Sequence, residues 1–230
     1  MIVFIVGCGR SGTHLAANFF ESSDEVKIRY ENTNEFTASS IAIQKNFSNA
    51  SVDTIIKGYH NLQKTDVIIE KNHVTMWFYD KIIQEFPQSK FIYILREPYQ
   101  IINSMKSHGG VQHWYDIMDM SQKNKFLGIT QENYDKFGSY SQIEKYANKV
   151  KSHQLQLEEM KRQIPSNLLV IDYDKMVLES QTTYDSMCDF VGLEKNQLKI
   201  NIKTDNHKKW QKNMERNEIE LINKVLSINV

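Results

Sequence analysis

Ile2-Val-Phe-Ile-Val6 is an apolar run near the start of the chain, and the glycine-rich turn Gly7-Cys-Gly-Arg-Ser-Gly-Thr-His14 follows it directly. An apolar run that is rich in Val and Ile and shows no alternation predicts a strand buried on both faces, as in a parallel sheet. The glycine-rich turn after it is typical of a loop whose backbone N–H groups hold a phosphate-like anion. The stretch therefore predicts an α/β fold with an anion site at the end of its first strand.

Further apolar runs recur along the chain and alternate with segments of helical period. Such alternation predicts a parallel sheet with helices on both faces, in three layers. The predicted strands are Ile2–Val6, Val26–Tyr30, Thr54–Lys57, Val67–Glu70, Phe91–Leu95 and Leu168–Asp172. The predicted helices are Thr13–Glu21, Val74–Phe86, Tyr99–Lys106, Ser141–Gln163, Thr182–Val191 (followed by Gly192 as a terminating glycine) and Glu215–Leu226.

The segment 108–137 breaks this alternation. We predict that it is an insertion over one edge of the sheet, and its role as a substrate lid or as an ordinary surface excursion stays open. No internal repeat and no linker rich in Ser, Gly or Pro divides the chain, so we expect a single domain over residues 1–230. The ring-bearing side chains of the segment include His108, His113, Trp114, Tyr115 and Tyr134.

Charge and targeting signals exclude some classes of protein. The 230 residues include 28 Lys+Arg and 28 Asp+Glu, so the net charge is zero. Proteins that bind nucleic acid over a broad surface usually carry a basic excess, so we expect no nucleic-acid partner, although a pocket for one nucleotide is compatible with this balance. The first apolar run is too short for a signal peptide or a membrane span. Cys8 and Cys188 have no metal-binding spacing, and the thiols are expected to be free in the cytoplasm.

The first loop fits two nucleotide-binding patterns. Gly7-x-Gly9-x-x-Gly12 matches the dinucleotide fingerprint, and Glu31 lies about twenty residues further on, where an acidic residue would bind the ribose. The outer glycines also have the spacing of a nucleotide kinase loop, but Thr13 and His14 replace its Lys and hydroxyl residue. A kinase is therefore disfavoured, whereas an oxidoreductase that uses NAD stays open as an alternative.

A second anion-binding pattern follows the apolar run Phe91–Leu95. Arg96 comes directly after the run, Pro98 can open a helix because its missing N–H is not needed there, and Ser104 lies about two turns into that helix. A guanidinium and a hydroxyl in these positions can reach one phosphate. Ligands of open α/β sheets bind at this edge, so the sequence predicts two separate anion sites.

These motifs resemble those of sulfotransferases that use 3′-phosphoadenosine 5′-phosphosulfate (PAPS). Gly9-Arg-Ser-Gly-Thr13 resembles their 5′-phosphosulfate loop, and Phe91–Pro98 with Ser104 resembles their 3′-phosphate motif. The resemblance covers about residues 2–215, and Arg10 is similar to the bacterial and Golgi-type branches; segment 108–137 has no counterpart. Other segments follow in the family's order: Glu70-Lys-Asn-His73, Phe86-Pro-Gln-Ser-Lys-Phe91, Leu168–Met176 and His207-Lys-Lys-Trp210.

The resemblance implies a P-loop NTPase-like fold and an in-line transfer that needs no metal. The donor would be PAPS, the acceptor a hydroxyl or amine of a small molecule or saccharide, and the product adenosine 3′,5′-bisphosphate (PAP). A nucleotide-binding domain without turnover stays open as a non-enzymatic alternative. The residues that the resemblance implies at the cofactor are Gly9, Arg10, Ser11, Gly12, Thr13, His14, Arg96, Ser104, Lys208 and Trp210.

The catalytic candidates are Arg10 and Lys71 as cations at the sulfuryl group, and Glu31 or His73 as the base. Glu31 matches the place of a catalytic glutamate in bacterial and Golgi-type members, whereas His73 titrates in the useful range near neutral pH. Both stay open. The sequence indicates neither the identity of the acceptor nor the oligomeric state.

Overall fold

The sheet positions every element of the candidate site. In a computed structural model, the described residues are 1–31, 36–62, 67–200, 202 and 209–227. Five strands among them form one parallel sheet in the order β2-β3-β1-β4-β5, which places all carboxyl ends at one edge. The strands are β1 (Ile2–Val6), β2 (Val26–Tyr30), β3 (Val67–Lys71), β4 (Lys90–Leu95) and β5 (Leu168–Asp172).

Helices cover both faces of this sheet. Alternate residues of β1 belong to two different hydrophobic clusters, since Phe4 packs with Phe91 on one face and Ile5 packs with Ile92 on the other. The predicted three-layer α/β architecture is confirmed. The helices in the described part of the chain are α1 (Thr13–Phe19), α2 (Thr37–Lys45), α3 (Asn49–His60), α4 (Tyr79–Glu85), α5 (Pro98–Lys106), α6 (Gly109–Ile117), α7 (Gln142–Gln163), α8 (Tyr173–Leu178), α9 (Ser180–Val191), α10 (Trp210–Asn213) and α11 (Arg216–Leu226).

The prediction of a strand at Thr54–Lys57 is wrong, because this segment lies within α3. The side chain of Ser48 caps the helix by accepting a hydrogen bond from the Ser51 backbone. A run of four residues is too short for its period to separate a strand from one side of a helix. The buried positions of α3 recur at helical spacing: Val52, Ile55, Ile56 and Tyr59.

The predicted helix Val74–Phe86 is interrupted. A 3-10 turn covers His73–Trp77, and α4 begins only at Tyr79 because Phe78, with φ −139° and ψ 33°, leaves the helical region. The side chain of Phe78 is buried in the core, which accounts for the break.

The terminating glycine of α9 is confirmed, since Gly192 lies in the left-handed region at φ 85°.

Segment 108–137 differs from its predicted place over a sheet edge. Its helix α6 packs on α5, and its 3-10 turn Lys125–Leu127 packs on α7, so it lies against the helices of one face. Phe126 and Leu127 of this turn are buried in the hydrophobic cluster on that face. Within the described ranges, no helix has the length and apolar character needed to cross a bilayer.

Candidate active site

A cavity of about 570 Å³, here called the main cavity, lies between the first loop, the ends of β2 and β3, and segment 108–137. Cationic side chains outnumber acidic ones on its wall, so the cavity favours a ligand with several negative charges. The charged lining residues are Arg10, Lys71, Arg96, Lys149 and Glu31.

The first loop, residues 7–12, turns sharply between β1 and α1. Gly12 lies at φ 106°, and a Cβ atom there would approach the Tyr173 ring to 2.6 Å, so only glycine fits. Arg10 has φ 73°, an uncommon conformation for a side-chain-bearing residue that is often found at functional sites. The Ser11 hydroxyl is buried and has no hydrogen-bond partner among the residues that the structure describes. A buried hydroxyl without a partner is the type of group that a bound anion would satisfy.

The two anion motifs meet in the structure, whereas the sequence predicted two separate sites. Arg10 Nε donates a hydrogen bond to Ser104 Oγ at 3.2 Å, and Arg96 Nη1 donates to the Arg10 carbonyl oxygen at 2.9 Å. Both arginines and Ser104 line a second cavity of about 310 Å³, here called the side cavity. Because Arg10 and Arg96 line both cavities, the motifs form one continuous site.

Arg96 is held by neutral and aromatic groups. Its guanidinium carbon lies 3.8 Å from the centre of the Tyr173 ring, and its Nε donates to Gln100 Oε1 at 2.8 Å. Gln100 in turn donates to the carboxylate of Asp174. Within the described residues Arg96 forms no ion pair, so its charge is not cancelled by Glu97 or another acid and is free to act on a ligand.

Glu31 lies between two of the other candidate residues. Its Oε1 accepts a hydrogen bond from Lys71 Nζ at 2.5 Å, and its Oε2 is 2.6 Å from His73 Nδ1 and 3.0 Å from the His73 backbone nitrogen. Burial alone would raise the pKa of Glu31, but His73 and Lys71 lower it far below its usual range. Both oxygens of the carboxylate are therefore engaged, and the group stays ionised.

His73 is oriented by this carboxylate. Because a carboxylate only accepts, Nδ1 carries the proton of the 2.6 Å contact, and Nε2 keeps its lone pair. Among the described residues, Nε2 has no hydrogen-bond partner. Burial lowers the pKa of His73 below its usual value, an effect that Glu31 partly offsets, so the ring is neutral near pH 7.

Two further predicted residues lie on the cavity wall. His14 stacks on Tyr30, with ring centres 5.4 Å apart, and burial lowers its pKa. Thr13, the first residue of α1, also lines the cavity. Lys71, which the sequence could place only at a strand end, is 4% exposed.

The carboxyl-terminal candidates lie at the side cavity. Trp210 lines it next to Lys209, and the indole stacks on Tyr99 with ring centres 4.8 Å apart. The predicted cofactor residue Lys208 lies outside the described residues.

Sequence reasoning missed Lys149 and Phe126, which also line the main cavity. Lys149 is 6% exposed, and its Nζ lies 4.0 Å from the centre of the Phe126 ring. A signal for Lys149 exists, since it interrupts the apolar face of α7 between Tyr146 and Val150. A charged residue on a buried helix face is unusual enough to mark a candidate.

Glu70 and Arg29 form a buried contact next to the site but outside the lining of the main cavity. Glu70 is fully buried, and its Oε2 accepts a hydrogen bond from Arg29 Nε at 3.0 Å. The pair links β2 to β3, since Arg29 and Glu70 are register partners in the sheet.

Comparisons with known proteins give a family match and similar folds. Residues 3–197 match the model described as "Sulfotransferase family". The chain is similar to a sulfotransferase from Alicyclobacillus acidocaldarius, with TM-score 0.58, 12% identity and coverage of 99% of this chain and 96% of that one. It is also similar to the sulfotransferase domain of the Synechococcus PCC 7002 olefin synthase, with TM-score 0.61, 14% identity and coverage of 100% and 95%. A third similar structure is the sulfotransferase domain from the curacin biosynthetic pathway, with TM-score 0.58, 17% identity and coverage of 100% and 98%.

At these identities the solved structures show the fold alone, which is P-loop-like α/β. No curated protein matches the sequence. The family model covers most of the chain, including the first loop, the Glu31–Lys71–His73 cluster and the Arg96–Ser104 motif. The chain therefore belongs to the sulfotransferase family.

Proposed function

We propose that the protein transfers a sulfuryl group from PAPS to a hydroxyl or amine of an acceptor molecule. Family membership supports sulfuryl transfer, and the joined pair of anion motifs supports this donor. Arg10 at the first loop and Arg96 with Ser104 at the end of β4 form one continuous site. That continuity carries the proposal, because PAPS has anionic groups at two ends of one nucleoside.

The residues present fit such a ligand. At the 5′ end, Arg10, the Thr13 hydroxyl, the unsatisfied Ser11 hydroxyl and the backbone N–H groups that follow would hold the phosphosulfate. At the 3′ end, Arg96 and Ser104 would bind the phosphate.

Further residues would complete the donor site. Gly12 gives the loop its shape, Gly9 lines the main cavity, and His14 adds a polar ring to the wall. Trp210, already stacked on Tyr99, would flank the nucleoside in the side cavity. Lys208 is proposed for the same end on the resemblance alone.

Bound PAPS would supply an activated sulfuryl group and a phosphate leaving group. Negative charge grows on the leaving phosphate during transfer, so fixed cations and N–H donors that point there lower the barrier. Arg10 is positioned for this role by its own backbone and by Ser104. Lys71 would hold Glu31 in place in addition to any contact with the sulfuryl group.

We assign His73 as the group that takes the acceptor's proton, and Glu31 as the residue that orients it. Glu31 is a weak base because its pKa is lowered and both its oxygens are engaged. His73 is neutral near pH 7 and presents Nε2, while Glu31 fixes the tautomer through Nδ1. This arrangement is that of a carboxylate–histidine pair in general base catalysis.

The alternatives find less support. In an NAD-dependent oxidoreductase, Glu31 would have to accept the ribose hydroxyls, but Lys71 and His73 already occupy both its oxygens. A nucleotide-binding domain without turnover would not need an oriented histidine in the cavity. The acceptor, a small molecule or a saccharide, would lie against the wall formed by His108, Trp114 and Phe126.

Calorimetric titration tests the donor. PAP should bind with a dissociation constant of about micromolar or tighter, adenosine 5′-monophosphate should bind more weakly because it lacks the 3′-phosphate, and NAD should not bind. Binding of NAD without binding of PAP would overturn the proposal. Turnover is then tested by incubating the protein with PAPS and a panel of phenols, alcohols, amines and saccharides. PAP binding without PAPS consumption would favour the non-catalytic domain.

A further inference from the structure

Lys149 is a buried lysine for which the proposed chemistry has no role so far. It is 6% exposed, and its Nζ lies 4.0 Å from the centre of the Phe126 ring. Within the described residues its ammonium forms neither a hydrogen bond nor an ion pair, whereas its backbone carbonyl is bonded to His153 Nδ1. A buried ammonium without an anionic partner is costly, and contact with an aromatic face offsets only part of the cost. Such a group points to an anion that arrives with a ligand.

The surroundings of Lys149 place it beside the reacting groups. It lines the main cavity, and its Nζ is 4.0 Å from where a Cβ atom on Gly9 would lie, so the ammonium faces the first loop. Its charge also contributes to the lowered pKa of His73, which places the two side chains within electrostatic reach. Phe126 contacts both side chains, since the His73 ring centre lies 5.3 Å from its own and Lys149 Nζ lies 4.0 Å from it. Lys149 is therefore near both the loop and the histidine.

The other lysine of the cavity is already paired. Lys71, which the resemblance places at the sulfuryl group, has its Nζ 2.5 Å from Glu31 Oε1. Among the described lining residues, the cations without an acidic partner are Arg10, Arg96 and Lys149. Near the side cavity, Arg10 donates a hydrogen bond to Ser104, and Arg96 donates one to the Arg10 carbonyl oxygen. Within the described lining, Lys149 is therefore the unpaired cation on the other side of the loop.

We propose that Lys149 is a catalytic residue whose ammonium donates hydrogen bonds to the oxygens of the transferring sulfuryl group. The inference rests on the proposed function. In the transfer, the acceptor oxygen or nitrogen forms a bond to sulfur and its proton goes to His73 Nε2. The bond between sulfur and the bridging phosphate oxygen breaks, and its electron pair stays on the phosphate. Burial lowers the pKa of Lys149, and the negative charge of the sulfuryl group would raise it again. With the donor bound, Lys149 remains protonated throughout and supplies only positive charge.

Sulfate binding to the PAP complex tests this contact without turnover, because PAP and sulfate together carry the groups of the donor. Lys149→Met should weaken sulfate binding to the PAP-saturated protein at least tenfold and leave PAP affinity within about twofold. Lys149→Arg should retain part of the sulfate affinity. Lys145→Met is the matched control, since Lys145 lies one turn earlier on α7 and does not line the main cavity.

Thermal unfolding without ligand separates this role from a structural one. Removal of an unpaired buried charge should raise the Tm of Lys149→Met, whereas a lysine that stabilises the fold would give a lower Tm. A lower Tm combined with unchanged sulfate affinity would overturn the assignment.

The remaining outcomes are also decisive. If Lys149→Met leaves sulfate binding intact but raises KM for anionic acceptors only, the ammonium contacts the acceptor, and the assignment to the sulfuryl group is wrong. If the wild-type protein fails to bind PAP, the proposed function itself fails. PAP binding that persists while sulfate affinity is unaffected by the substitution overturns the inference alone.

Discussion

The two sides of the candidate site, which joins the main cavity and the side cavity, are built in different ways. On the arginine side, formed by Arg10, Arg96 and Ser104, polar groups bond to one another across segments that are far apart in the chain. On the aromatic side, formed by Trp114, Phe126 and Lys149, the contacts are ring faces and a buried ammonium. The first side has a fixed geometry set by backbone turns, and the second is set by side-chain packing.

The difference between the two sides indicates which features of a binding site a short sequence motif can encode. A phosphate demands donors at defined places, and a glycine-rich turn after a strand supplies them wherever it occurs. A wall of rings can be assembled from many sequences, since apolar contact has no required direction. Four substitutions test this contrast.

Loss of the proposed base should have the largest effect. His73→Ala should lower the transfer rate by about 10²–10⁴-fold, the usual contribution of a positioned base, while PAP affinity stays within about twofold. PAPS consumption and calorimetry measure the two quantities. His113→Ala is the control, because His113 is exposed on α6. Equal loss of rate in both variants would contradict the role of His73.

Loss of Arg96 should affect binding on the arginine side alone. Arg96→Ala should weaken PAP about 10- to 100-fold, because a charged hydrogen-bond partner of the 3′-phosphate is removed, and should change the affinity for adenosine 5′-monophosphate much less. Calorimetry measures both ligands. Arg216→Ala is the control, since Arg216 is exposed on α11 and pairs with Glu220. An equal loss for both ligands would place Arg96 away from the 3′-phosphate.

Substitution of Glu31 should shift the pH profile. The carboxylate raises the pKa of His73 against the lowering effect of burial, so Glu31→Gln should lower that pKa further. The base is active when neutral, so the loss of rate on the acidic side should move to lower pH by about one unit or more. Rates measured from pH 4.5 to 8 check this shift. An acidic limb that does not move would show that another group titrates.

The aromatic side should respond least. Trp114 Nε1 is buried and lacks a hydrogen-bond partner in the described part of the chain. Loss of this buried donor therefore removes no contact with an acceptor, but Trp114→Phe leaves less ring surface on the cavity wall. The substitution should raise acceptor KM by about two- to tenfold and leave PAP affinity unchanged. Steady-state kinetics with an acceptor found in the panel measure this change. An altered PAP affinity would show that the two sides are not independent.

Sequence reasoning reached the arginine side more fully than the aromatic side, for physical reasons. The first loop and Arg96 follow directly from strands whose positions the apolar runs predicted, so their place at one edge could be inferred. The hydrogen bond of Arg10 to Ser104 could not, because it joins residues 94 positions apart. Lys149 was not predicted as a site residue, because the helical period shows on which face of α7 a side chain lies but not which other residues pack against that face.

The prediction of the general base was limited in the same way, although its two candidates lie at neighbouring strand ends. The sequence offered Glu31 and His73 as competitors, whereas the structure brings them into contact at 2.6 Å. Two residues from neighbouring strand ends could be expected near each other, but the direction of their hydrogen bond is a matter of side-chain geometry. The prediction of a strand at Thr54–Lys57 failed for a simpler reason, because a run of four residues fits the period of a strand and that of a helix equally well.

The buried contact between Arg29 and Glu70 has a consequence for alignment. In the described sheet, β2 is an edge strand that pairs with β3 alone, so its register depends on one neighbour. A slip of two residues would move Glu31 about 6.6 Å along Lys71 and His73, too far for any of its present contacts. An ion pair between register partners in the interior opposes such a slip, since it would separate two buried charges. The contact between Arg29 and Glu70 thus fixes the register of β2 on β3 and keeps the Glu31 carboxylate next to His73.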